Sequence, residues 1–519
     1  MSKLSGSNSL MMQIDRRKLR AALLLSLIPG GMAAGSYVVA RTTETTNAAA
    51  QISSNTMPAL APQTASDGAL AQVRSLDRIA RPADGKLALL SPAEHLRRAG
   101  VYIVNRAFDE ARLHYQALID RYPNDPKIPA ALYGIGRSFF QTRRYNESLP
   151  FFERLAREYT FTQEGRDGLS NLAAALLRLE RAGEAATRYI EYIGKFPQGE
   201  RIESSYLNVI DAYREANAPN DAIAWIARTR ARFPNSATDT NAVFARLRLD
   251  IAGGDWQHAI QTADELRRAS LFAKNVATSS SEVAYLRAYS LERLRAYGLE
   301  RAGRADEAIN AYLAIPDTPA SYYGAQATAK LLTSNNITAR AIVAARISTV
   351  DNSIVSAQSL YPAPYRETIA RLARARNIDP RLVLAIMRQE SNFRARAKSN
   401  AAARGLLQLT IDSAQKYAVR AGYPNLQEDD LYNPTIAIAV GCEYIADLAR
   451  QFPDQPEAVV ASYNGGEDNA ARWLKRARQN DPGVFASEVG FAETKDYVFK
   501  VMSNYRAYKR LYTITLSPR

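Results

Sequence analysis

The sequence predicts an all-α protein, a superhelix of paired helices leading into a separate α-helical domain that carries the chemistry. Three observations predict it. From residue 98 three sequence registers share one period of 37 residues, the length of a helix–turn–helix unit. Beyond residue 360 the repeat is gone, and Asp379-Pro380 opens a helix whose apolar stripe runs onto a carboxylate, Glu390. The chain has 519 residues, 47% hydrophobic and 23% charged, which is ordinary globular usage and excludes both wholesale disorder and a single small core.

Residue counts remove several function classes. One cysteine, Cys442, excludes an internal disulfide framework and a Cys-rich zinc module. Three histidines, His95, His114 and His258, make a multi-His metal centre improbable. The formal charge of +15 needs a partner, and nucleic acid explains it poorly because the chain shows no nucleic-acid-binding module.

Residues 1–40 read as an export segment. Lys3, Arg16, Arg17, Lys18 and Arg20 against Asp15 give a positive start, and residues 21–40 carry no charge. A short Leu/Ala run followed by small residues describes a secretory signal. The rival is an uncleaved membrane anchor, weakened by Pro29, Gly30 and Gly31 in its middle. Either way the bulk of the chain is expected to work outside the cytoplasm, with any membrane contact made through this segment alone. Residues 41–93, rich in Ala, Ser, Thr, Gln and Pro, read as a flexible linker.

Residues 94–315 are the repeat. Glu110-Ala111, Glu147-Ser148, Glu184-Ala185, Asp221-Ala222 and His258-Ala259 recur at one step. So do Tyr122-Pro123, Tyr159-Thr160, Phe196-Pro197 and Phe233-Pro234, and between them Leu132, Leu169, Tyr206 and Val243. Each unit is predicted as two amphipathic helices, the aromatic-Pro step closing the second. In the first unit Ala111, Tyr115, Leu118 and Ile119 make the buried stripe. The pattern resembles a lengthened tetratricopeptide repeat, whose concave face can hold a partner such as another envelope protein. An insertion near 270–300 breaks the register, and 316–360 connects to the last domain.

In residues 361–519, Asp379 suits an N-cap and Pro380 the first helical turn. Val383, Ile386 and Met387 form one stripe, and the same spacing lands on Glu390. A carboxylate on an apolar face is poorly solvated, which raises its pKa toward that of a general acid. Eight Lys/Arg against two acids within 381–420 would lower it. Arg388, however, lies about 200° round the helix on the solvent side, so desolvation is expected to win.

Four ordered runs follow: Gln389-Glu390-Ser391-Asn392-Phe393, Gly405-Leu406-Leu407-Gln408-Leu409, Ser462-Tyr463-Asn464-Gly465-Gly466 and Glu493-Thr494-Lys495-Asp496-Tyr497-Val498. With Asn433-Pro434, Gly441 and Tyr444, and with Tyr322-Tyr323-Gly324 upstream, they resemble the soluble lytic murein transglycosylases. The resemblance implies a lysozyme-like α-helical catalytic domain after a helical superhelix. It implies cleavage of the β-1,4 bond between N-acetylmuramic acid and N-acetylglucosamine in peptidoglycan glycan strands, with 1,6-anhydro ends and neither metal nor cofactor. Glu390 would be the single catalytic acid and base, and Ser391, Gln408, Tyr463, Asn464, Glu493 and Tyr497 would surround the substrate.

From the residues alone, Ser391 can bond the carboxylate or a substrate acetamide, or simply close its helix. Tyr463 and Asn464 are expected at a turn before Gly465-Gly466. Glu493 and Tyr497, at i and i+4, share a helix face; Tyr497 would hold Glu390 or the sugar and Glu493 would organise the groove. Trp473 and Phe393 read as core residues, with sugar platforms as the alternative, and Cys442 reads as a small buried hydrophobe. Leu407, Ile411, Ala437, Gly465 and Lys495-Asp496 depart from the family's usual residues without touching Glu390. Two readings stay open beside the transglycosylase: a lysozyme-like muramidase that uses water, and a non-catalytic wall-binding scaffold.

Overall fold

A computed structural model describes residues 65–79, 87–269, 271, 274–296, 305–334 and 336–519. The export segment at 1–40 lies outside the described residues. Among the described residues the regular structure is helical, apart from three isolated bridges. No described helix is long and apolar enough to cross a membrane.

The first helix, α1 (Ala65–Ile79), falls inside the stretch expected as a flexible linker. That expectation fails here because composition does not show which ends of a segment find partners. Asp67 is buried against Lys398 at 2.6 Å and Arg404 at 2.9 Å. Asp77 bonds Tyr102 at 2.5 Å and His114 at 2.9 Å, and Arg74 joins Glu110 to Glu428 between them. So α1 ties the first repeat to the C-terminal unit.

Six helical pairs then stack: α2 (Pro92–Val104) with α3 (Phe108–Arg121), α4 (Ile128–Gln141) with α5 (Tyr145–Glu158), α6 (Gln163–Arg178) with α7 (Ala182–Lys195), α8 (Ile202–Glu215) with α9 (Pro219–Arg232), α10 (Ala237–Gly253) with α11 (Trp256–Arg268), and α12 (Ser280–Ala296) with α13 (Ala305–Leu313). The second helices of the first five pairs begin at 108, 145, 182, 219 and 256, so the sequence period is a structural period. Tyr122, Tyr159, Phe196 and Phe233 cap the C-termini of α3, α5, α7 and α9, as the aromatic register predicts. One further residue repeats at the same step. Arg106, Arg143, Glu180, Asn217 and Gly254 stand in each turn between the paired helices with φ of 62°, 62°, 59°, 55° and 76°. Only a left-handed residue reverses the chain that sharply, and only the last of the five is glycine.

Burial explains the stripes. Ala111, Tyr115 and Leu118 of α3 are buried, while Ile119 is only half-buried at the core's margin. Leu118, Leu132 and Leu155 are almost fully buried; each contributes roughly 1.5–3 kcal/mol of apolar burial and joins consecutive pairs into one core. A second core runs from Val243 to Val343 and takes in Ala477, Val484 and Ala486, so the end of the superhelix and the C-terminal helices share side chains. The connecting segment is α14 (Tyr322–Leu332) and α15 (Ile337–Ser356). Its Tyr323 hydroxyl donates to Glu282 at 3.0 Å, and Lys495 binds the same carboxylate at 3.0 Å.

The C-terminal helices are α16 (Arg366–Arg374), α17 (Pro380–Ser391), α18 (Ile411–Ala418), α19 (Pro434–Gln451), α20 (Pro456–Gly465), α21 (Glu467–Ala477), α22 (Pro482–Glu488) and α23 (Ala492–Leu511). They enclose their own core, with Val383, Leu384, Ile386 and Met387 of α17 at its centre. Cys442 sits there as a small hydrophobe, its thiol pushed up to about 12 by burial. Trp473 is buried with its ring edge-on to Phe491. Glu488, nearly solvent-free, receives Arg248 at 3.4 Å and also Arg214, both from the repeats. The three guanidiniums around it, Arg476 included, offset its burial and hold its carboxyl down to about 2.

Candidate active site

Helix α17 is placed by its caps. Asp379 accepts from the Arg381 amide at 2.8 Å, Pro380 occupies the first turn, and Asn392 ends α17 in the left-handed region at φ 47°. This delivers Glu390, one turn past the buried stripe, to the wall of a cavity with about 1740 Å³ of open space. All seven residues expected at the site line this cavity: Glu390, Ser391, Gln408, Tyr463, Asn464, Glu493 and Tyr497.

The electrostatics follow the desolvation argument. Burial pushes the Glu390 carboxyl up to about 8; a hydrogen bond from Tyr497 opposes this and the Glu493 charge adds to it. Among the described residues no cation counters the burial. Arg388 turns away to Asn504 at 3.2 Å and to the Leu360 carbonyl, with its guanidinium 4.5 Å from the Tyr361 ring centroid. The Tyr497 hydroxyl donates to Glu390 Oε1 at 2.7 Å, which leaves Oε2 as the oxygen that carries a proton. Tyr497 stays a phenol, because burial first and then the Glu390 charge raise its pKa well above the usual value.

Three of the expected substrate contacts turn out to grip a loop. The Gln408 amide nitrogen donates to the Gly405 carbonyl at 2.9 Å and to Ala397 at 3.0 Å. The Ser391 hydroxyl donates to the Leu406 carbonyl at 2.7 Å. The Tyr463 hydroxyl donates to the Leu407 carbonyl at 2.7 Å. Three consecutive carbonyls are thus captured by side chains from α17, α20 and the loop itself. Ser391 therefore spends its proton on backbone rather than on the Glu390 carboxylate, a correction whose cause is the loop's need for buried donors. Gln408 keeps only its carbonyl oxygen free.

Tyr463 and Asn464 occupy the last turn of helix α20 rather than a loop, since the reversal waits for Gly466 at φ 89°. Asn464 Oδ1 accepts from Thr494 at 2.6 Å, which aims its amide donors elsewhere. Glu493 lies on the cavity's exposed rim, its carboxyl raised by burial and by Asp496. Lys495 faces the repeats and not the cavity.

Several lining residues were not expected at the site from the sequence, although Tyr444 was among the residues that carried the resemblance. Tyr444 stacks between Tyr463 at 5.0 Å and Tyr417 at 5.1 Å, a ladder that its spacing after Gly441 could have suggested. Lys416 and Lys500 give the wall positive charge. Arg106, Gln141 and Arg143 come from the repeats, and no local signal announces them. Elsewhere Asp250, Asp255 and His258 converge, but Arg246 already bonds Asp250 at 2.7 Å and stands 3.0 Å from the imidazole.

Comparison with known proteins finds partial matches. Residues 367–485 match the transglycosylase SLT domain, and residues 130–160, which hold most of α4 and all of α5, match a tetratricopeptide repeat. The chain is 30% identical over 152 residues to the soluble lytic murein transglycosylase of Salmonella typhimurium, covering 29% of this chain and 23% of that one. It is 30% identical over 169 residues to the membrane-bound lytic murein transglycosylase C of Salmonella arizonae, 28% of this chain and 46% of that one. The match thus spans about a quarter of the length of the soluble relatives. Among solved structures, the 70 kDa soluble lytic transglycosylase of Escherichia coli aligns with 86% of this chain and 78% of its own, at 17% identity and a TM-score of 0.45.

Proposed function

We propose, on the premise that residues 367–485 are a transglycosylase SLT domain, that this protein is a peptidoglycan lytic transglycosylase of the cell envelope. The observation that carries the reading is one carboxyl, Glu390, held by Tyr497 in a cavity bordered by all four motif segments. At neutral pH a carboxyl with a pKa of about 8 keeps its proton, as a general acid must.

In this proposal Glu390 gives its proton to the glycosidic oxygen between N-acetylmuramic acid and N-acetylglucosamine, and the bond from that oxygen to C1 breaks. The substrate's acetamido group supports the cationic carbon, so a second enzymic carboxylate is not required. Glu390, now a base with Tyr497 still bonded to Oε1, takes the proton of the muramoyl C6 hydroxyl. Its oxygen closes on C1, giving a 1,6-anhydro ring and returning Glu390 to its starting state. Tyr463, backed on one face by Tyr444, offers a ring, and Asn464 an amide, for the N-acetylated sugars.

Digestion of purified sacculi tests the chemistry. Mass spectrometry is expected to find muropeptides lighter by one water than hydrolytic products; products without that loss would identify a muramidase. Rates supply a second expectation. Because the first step needs the protonated acid, kcat/KM should hold through neutral pH and fall roughly tenfold per unit above about pH 8. A fall beginning below pH 6 would contradict a desolvated Glu390.

A further inference from the structure

The superhelix reaches the catalytic cavity at two points that are equivalent in its repeat. Arg106 and Arg143 are 37 residues apart, each the left-handed residue of its turn, each with φ 62°. Arginine is an unfavourable choice there; the same position holds Asn217 and Gly254 in later units. Arg106 grips Asp412 with two parallel bonds, Nε to Oδ1 at 2.6 Å and Nη2 to Oδ2 at 2.7 Å. Arg143 pairs with Glu467 and stands 3.9 Å from Asp468.

The two acids have matching places as well. Asp412 lies in the first turn of α18, directly after Gln408-Leu409-Thr410, and Glu467 in the first turn of α21, directly after Asn464-Gly465-Gly466. Each arginine therefore fixes the helix that ends one loop of the site. Arg143 also presses on Gly466, where an added Cβ would lie 3.3 Å from its Nη2. Between them Gln141, half-exposed in the cavity wall, makes no side-chain hydrogen bond to another described residue. The next turn residue, Glu180, reaches only an exposed Lys475 at 3.8 Å, away from the cavity.

We propose that the first two repeat turns are part of the substrate site: Arg106 and Arg143 are positioning residues for its two loops, and the free Gln141 amide binds the polar, amide-bearing glycan. The inference rests on the cavity being a glycan site. In the full-length protein, Arg106→Gln is expected to speed amide hydrogen exchange over 405–412, and Arg143→Gln over 464–469. Each should lower kcat on soluble glycan strands roughly tenfold with little change in KM. Arg143→Lys should recover most of that loss, because it keeps the charge on Glu467. Gln141→Ala should raise KM about fivefold at unchanged kcat. Glu180→Gln, in the equivalent turn outside the cavity, should change none of these.

Wild-type exchange and kinetics in both arginine variants, or equal losses in Glu180→Gln, would overturn the proposal. An inactive wild-type protein would instead remove the transglycosylase reading, and the exchange rates would still decide whether the turns hold the loops.

Discussion

Replacing Glu390 with Gln lowers turnover of peptidoglycan by about 10³-fold or more while glycan binding and fold persist. The size follows from the proposed mechanism, in which one group serves as acid and then as base and each role alone contributes about 10²–10⁴-fold. Gln fills the same space and still accepts from Tyr497, so the cavity keeps its shape, but the amide has no proton to give. The variant should also be more stable, and the pH decides by how much. A buried carboxyl with a pKa near 8 keeps its proton in the folded chain when the unfolded chain has already released it above about 4.3. Folding stability therefore falls as pH rises from about 4.3 to about 8, and it is this loss that Gln removes. The whole shift corresponds to about 5 kcal/mol, and screening from the cavity's solvent reduces the expected gain to about 1–3 kcal/mol at pH 8. At pH 4 the two proteins should melt together. Calorimetry at both pH values, beside a turbidity assay on sacculi, checks each part. Activity above a tenth of wild type would remove Glu390 from the chemistry.

Gly405→Ala disables the site from the other side. Gly405 starts the loop whose carbonyls Gln408, Ser391 and Tyr463 hold, and it has φ 76°. A Cβ built there lies 1.9 Å from the Leu431 carbonyl oxygen, a backbone atom that no rotamer change can move aside. Gly422 has φ 91° yet open space around its Cβ position, so Gly422→Ala isolates the conformational cost alone, about 1 kcal/mol. The difference between the two variants is the clash. Gly405→Ala is expected to cost about 3 kcal/mol or more, which lowers the melting temperature of the C-terminal unit by roughly 6–12 °C. Activity should fall with it, because the loop that carries Gln408 must leave Leu431. Equal melting of the two variants would mean that the close approach does not constrain the loop.

How much of this was legible depends on the distance over which a signal acts. The aromatic caps at Tyr122, Tyr159, Phe196 and Phe233 and the stripe of α17 are local, so residue spacing gave the helix pairs and the position of Glu390. The four motif runs likewise led to the seven residues that line one cavity. The tasks of Ser391, Tyr463 and Gln408 were not legible. Which carbonyl a hydroxyl reaches depends on how α17 and α20 approach the loop. The linker at 41–93 was misjudged over α1 for a similar reason. Asp67 and Asp77 acquire meaning only when Lys398, Arg404 and His114 surround them.

By itself, the sequence determined an all-α chain, its 37-residue period, and a carboxylate on an apolar helical face. Those properties arise from contacts a few residues apart and from hydrophobic spacing. Only the tertiary structure decided that Arg106 and Arg143 belong to the cavity of Glu390. They lie more than 240 residues before it, and their reach depends on the rotation each stacked pair adds to the superhelix. That rotation is a sum of many packing contacts, none of which leaves a mark at the arginines themselves.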